Sequence, residues 1–69
     1  MTKEDIENRF TYHAPKDGQP IIFSIIRSMA KELANKIDDE VPDGREKSIA
    51  ITKLEEVVMW ANSGIARHG

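Results

Sequence analysis

Apolar residues recur along two stretches of this chain at the spacing of one helix face. Ile22, Ile26, Met29, Leu33 and Ile37 follow each other at intervals of four, three, four and four. No glycine or proline interrupts the segment from Ile21 to Glu40. The spacing predicts a helix of roughly 20 residues, about 30 Å long. Ala50, Leu54, Val57, Ala61 and Ile65 form a second stripe, widened by Ile51 and Val58, over about residues 44–67. Between the two stretches stands Val41-Pro42-Asp43-Gly44. Pro42 disfavours helical geometry at Val41. Asp43 is expected to cap the second helix, with Glu46 three residues on completing a capping box. Two helices of similar length joined by so short a connection lie antiparallel. Upstream, Ala14-Pro15-Lys16-Asp17-Gly18-Gln19-Pro20 reads as a loop, with Pro20 as the first helical residue. A short helical turn is expected from Lys3 to Arg9. The expectation is a single all-α domain: an N-terminal arm and loop over residues 1–19 and an antiparallel two-helix hairpin over residues 20–69.

A hairpin by itself buries too little. Each helix covers one stripe, while a chain of 69 residues loses on the order of 100 kcal/mol of conformational entropy on folding. The first helix also opens with Ile21, Ile22, Phe23, Ile25 and Ile26, which cannot all face one partner. A helix that is apolar on all sides is covered on all sides. The pattern therefore predicts self-association, and Ala61, Ser63 and Gly64 would allow close helix approach.

Composition narrows the function. Cysteine is absent, so disulfides and Cys-ligated zinc are excluded. Two histidines, His13 and His68, cannot build a metal cluster within one chain. Charged residues make up 32% and no uninterrupted apolar run exceeds five residues, which excludes a membrane-spanning segment. Lys3, Glu4, Asp5 and Glu7 fill the stretch where a secretory leader would be apolar, so a cytoplasmic protein is expected. Net charge is −2, and residues 1–20, 21–41 and 42–69 carry −1, −1 and 0, so no segment is basic enough to track DNA. A small anion needing two or three cations remains open. No Gly-rich phosphate loop, HExxH or GxSxG motif is present, and no catalytic residue is assigned. Asp38-Asp39 and Glu55-Glu56 read as solvated faces, the glutamates pairing with neighbours such as Lys53.

Six residues stand out. Phe10 and Tyr12 either anchor the arm on the hairpin or, for Tyr12, offer a flat surface on which a nucleobase stacks. Arg27 is either a solvated cation, paired with Glu32 or another chain, or a bidentate phosphate clamp. Trp60, inside Val57-Val58-Met59-Trp60-Ala61, reads as core or subunit contact. Arg67 sits where a cation complements a helix C-terminus, and His68 reads as a frayed end.

Arg9-Phe10-Thr11-Tyr12-His13-Ala14-Pro15, Gly18-Gln19-Pro20, Arg45-Glu46-Lys47-Ser48, Thr52-Lys53-Leu54-Glu55-Glu56, Met59-Trp60-Ala61-Asn62 and Ile65-Ala66-Arg67 form one long ordered pattern. It resembles the phage hairpin-domain family of anti-CBASS and anti-Thoeris proteins over about residues 9–67. The resemblance implies a sponge that sequesters the cyclic oligonucleotide signals of bacterial immunity without cleaving them. It further implies a compact homohexamer of helical hairpins, no cofactor and no metal, acting in the infected cell. Cyclic dinucleotides such as cGAMP would lie between protomers, and cyclic trinucleotides, held by some members, near three-fold axes. By the same resemblance Tyr12 would stack on a base and Arg27 would grip a bridging phosphate across a subunit boundary. His13 and Arg67 would serve the trinucleotide pocket. The two-fold symmetry of a cyclic dinucleotide suits a pocket that takes one Tyr12 and one Arg27 from each of two chains. The chain departs from the family's pattern at Ile21 and Ile22, where charged residues are usual, at Asp43-Gly44 in place of Asp-Ser, and in lacking a lysine near Met29. The competing reading is a hairpin that docks a host or phage protein through the apolar start of its first helix.

Overall fold

The computed structural model describes residues 2–69, and among them every regular element is helical. Helix α1 runs Lys3–Phe10, α2 Gln19–Glu40 and α3 Arg45–His68. α1 is a complete eight-residue helix. Thr2 accepts from the Asp5 amide at 3.1 Å and donates its own amide to the Asp5 carboxylate at 3.0 Å, a reciprocal capping box. The Thr2 backbone and hydroxyl bonds hold the Asp5 carboxyl below the ordinary carboxylate range.

α2 begins at Gln19, one residue earlier than the proline signal places it, so Pro20 occupies its second position. Gly18 supplies the turn into it with φ of 83°, a left-handed conformation that any side chain would strain. α2 and α3 are 22 and 24 residues long and pack against each other along their length as an antiparallel hairpin.

The seam between them is only in part the one expected. On α2 the half-buried side is Phe23, Ile26, Ala30, Ala34 and Ile37, whereas Ile22, Met29 and Leu33 are exposed. The middle of the contact is alanine, which lets two helices approach closely. The larger side chains therefore sit to one side of the seam. On α3 the expected Ala50, Leu54, Ala61 and Ile65 are half-buried, with Ile51 and Val58, while Val57 is exposed.

The connection also differs. The α3 N-cap is Gly44, and no side chain caps it. Asp43 instead accepts from the Lys47 ammonium at 2.9 Å, and Asp38 does so at 3.0 Å. The Lys47 side chain is only 12% exposed, and a covered ammonium keeps its charge by being paired. The two carboxylates, Asp43 first, raise its pKa above the ordinary lysine value. Asp43 is thus taken by the lysine four residues on and is withdrawn from the helix end.

The chain is a slab of 45 × 29 × 12 Å, and its thin dimension is that of one helix with side chains, about 10–12 Å. Its radius of gyration is 15.2 Å, against about 11 Å for a compact domain of this length. The accessible area is 5751 Å², roughly 1,400 Å² above the scaling for a compact monomer of this mass. Among the described residues no apolar side chain is buried, and the one buried residue is Gln19. Trp60, read from the sequence as core or subunit contact, is 68% exposed and so is not core within one chain. No described helix is long and apolar enough to cross a membrane.

Candidate functional site

The arm is fixed at the α3 C-terminal end, and the fixings are polar. Gln19, 6% exposed, donates Nε2 to the Ile65 carbonyl at 3.1 Å and accepts the Lys16 amide on Oε1 at 2.9 Å. Its own amide returns to the Lys16 carbonyl at 3.0 Å. The Lys16 ammonium donates to the Gly69 carbonyl. Arg67 donates Nη2 to the Arg9 carbonyl at 3.5 Å, and the His13 Nε2 stands 2.7 Å from the Asn8 carbonyl. Asn8 and Arg9 lie in the last turn of α1, whose carbonyls have no helical partners.

Gln19 was not singled out from the sequence. The expected aromatic anchors do not anchor: Phe10 and Tyr12 are each 84% exposed. The closest signal for Gln19 was its setting between Gly18 and Pro20, which marks a turn and not a tie to a residue 46 positions away. Gln19→Leu keeps the volume and removes both side-chain bonds. It leaves the Lys16 amide without its partner, while the Ile65 carbonyl keeps only the Gly69 amide at 2.9 Å. The expected cost is about 1–3 kcal/mol, read as a lower midpoint in urea with the m-value little changed. A midpoint equal to that of the unsubstituted chain would contradict the role given to Gln19.

Tyr12 therefore projects from a segment held before and after it. The structure brings His13 and Arg67 to adjacent carbonyls, those of Asn8 and Arg9, beside that segment. Arg27 stands elsewhere, roughly 12 Å of helix rise along α2 from Gln19. There it lines a groove of about 430 Å³ with Lys31, Glu55, Met59 and the seam residues Ala30 and Leu54. Tyr12, His13 and Arg67 do not line that groove. Arg27 is exposed and makes no ion pair among the described residues, with Glu32 or with any other group. Glu56 pairs with Lys53 at 3.3 Å, as a solvated face would, while Glu55 lines the groove. The described residues contain no cluster of three potential metal ligands.

The family model described as "Acb2/Tad1, hairpin domain" matches residues 2–66. The chain belongs to the Acb2/Tad1 hairpin-domain family. No curated protein and no solved structure matches it. The Acb2/Tad1 hairpin domain is that of the anti-CBASS and anti-Thoeris sponges, so membership supports a phage cyclic-nucleotide sponge in general, a binding protein and not an enzyme. The match takes in both helices of the hairpin, the arm, and all four candidate residues but Arg67, which lies one position beyond it. It also takes in Gln19 and Ile65, whose hydrogen bond ties the arm to α3.

Proposed function

We propose that this chain sequesters cyclic dinucleotides, such as cGAMP, in clefts formed where copies of the hairpin meet. The observation that carries the reading is Tyr12: an aromatic ring left 84% exposed on an arm whose neighbouring residues are tied down. An exposed ring on a loose arm would cost ordering entropy on binding. On a fixed arm that cost is met during folding.

The ligand has two bases and two phosphates related by a two-fold axis. One Tyr12 stacks on each base, and one Arg27 meets each phosphate with its planar fork. Because Tyr12 is not part of the groove that Arg27 lines, a cleft that presents both draws them from neighbouring copies. The unburied apolar face of α2 and the slab shape support assembly, and the family's hexamer is the oligomer we assign. Cyclic trinucleotides form the second ligand class. Three copies of Arg67, using the guanidinium donors that the Arg9 carbonyl leaves free, would face three phosphates.

The test is titration calorimetry with cGAMP, followed by heat release of the bound fraction and chromatography. A saturable heat with fewer than one ligand per chain, and release of intact cGAMP, is the expected result. No heat of binding, or recovery of a linear product, would end the sponge reading.

A further inference from the structure

The family resemblance places His13 beside the ligand, but its geometry suits another task. Its Nε2 lies 2.7 Å from the Asn8 carbonyl. A carbonyl oxygen can only accept, so this ring nitrogen carries the hydrogen and is occupied. The ring is half-buried, whereas the preceding ring of Tyr12 is almost fully in solvent. Thr11, which ends α1, is extended at φ −103° and ψ 138°. His13 and Tyr12 are consecutive, so the bond that holds the half-buried His13 on Asn8 fixes the segment from which the exposed Tyr12 projects. Among the described residues no other side-chain hydrogen bond is made by residues 11–14, Phe10 is as exposed as Tyr12, and the Arg67 bond reaches Arg9, upstream of the segment in question.

We propose that His13 is a positioning residue for Tyr12. Its hydrogen bond to the Asn8 carbonyl closes the segment after α1 into a fixed loop that presents the Tyr12 ring to a base, and the imidazole does not touch the ligand. The proposal rests on the sponge reading above. Breaking the bond lowers the fraction of arms in the binding geometry and leaves the intrinsic affinity of a correctly placed ring unchanged. The apparent dissociation constant rises by the inverse of that fraction.

The experiment uses the full chain and cGAMP. His13→Ala is expected to weaken binding roughly 5- to 50-fold, one modest hydrogen bond being lost from each of two arms per ligand. His13→Gln, whose carboxamide N–H can reach the same carbonyl, is expected to recover most of that loss. In a Tyr12→Ala background His13→Ala is expected to add nothing, because there is no ring left to place. Without ligand, His13→Ala is expected to speed amide exchange over residues 8–14 and leave exchange in α3 unchanged. A full additional loss in the Tyr12→Ala background would mean that His13 meets the ligand itself, and would overturn the proposal. Unchanged exchange over residues 8–14, or failure of His13→Gln to recover binding, would also overturn it. Absence of heat from the unsubstituted chain would instead remove the sponge reading, and this role with it.

Discussion

Tyr12→Ala is expected to weaken cGAMP binding by roughly 30-fold to 10⁴-fold, since each ligand loses two stacked rings worth ~1–3 kcal/mol apiece. The same substitution is expected to leave the melting temperature and the oligomer mass unchanged. The ring is 84% exposed and supports nothing in its own chain. Tyr12→Phe, which keeps the stacking face and loses only the hydroxyl, is expected to bind within a few-fold of the unsubstituted chain. Calorimetry for the affinities and sedimentation for the mass check the set. Wild-type affinity in Tyr12→Ala, with mass unchanged, would show that the ring is not the platform. The competing reading, a hairpin that docks another protein, predicts that Tyr12→Ala and Arg27→Ala leave the chain's activity unchanged while Ile25→Asp abolishes it. An activity assay of the first two variants therefore separates the two readings.

The helices and their antiparallel order were legible because periodicity and proline-glycine punctuation are local signals. The seam was less so. Reading a stripe gives weight to large apolar side chains, hence Ile22, Met29 and Leu33. The chain instead closes its hairpin through Phe23, Ala30 and Ala34, with the expected Ile26 and Ile37, and leaves Ile22, Met29 and Leu33 outside. Apolar spacing identifies a face that leaves water and does not say whether the same chain or another copy covers it. Asp43 illustrates a second limit: its cap potential is local, but Lys47, held also by Asp38 across the connection, competes for it. The candidate site divides in the same way. Tyr12 is conspicuous as a lone tyrosine beside a loop. Gln19 acts through Ile65 at the far end of the chain, and no local pattern announces a contact that the fold alone creates.

Ile25→Asp is expected to have the other large effect, on assembly and through it on everything else. Ile21, Ile25 and Met29 recur every fourth residue on α2, and with Ile22 and Leu33 they form an exposed apolar face beside the seam. Ile25 is 52% exposed in the single chain, so a charge there costs the isolated hairpin little. In an assembly that covers this face the calculation changes. Each copy forgoes about 1.5–3 kcal/mol of isoleucine burial. It also brings a carboxylate to a dry contact with no partner, at several kcal/mol more. A closed symmetric assembly repeats the defect in every copy. The expected result is a sedimentation mass that falls toward the 7.8 kDa of one chain, with lower helicity, because a slab without a buried apolar side chain has little to hold it. cGAMP binding is expected to be lost with the clefts, even though Tyr12 and Arg27 are intact. Ile25→Val, which keeps the surface apolar, is expected to assemble and bind. The decisive contrary result is a folded unsubstituted chain sedimenting as a single copy at micromolar concentration. Clefts between copies would then have no material basis, and Tyr12 and Arg27, which share no groove of one hairpin, would have no ligand in common.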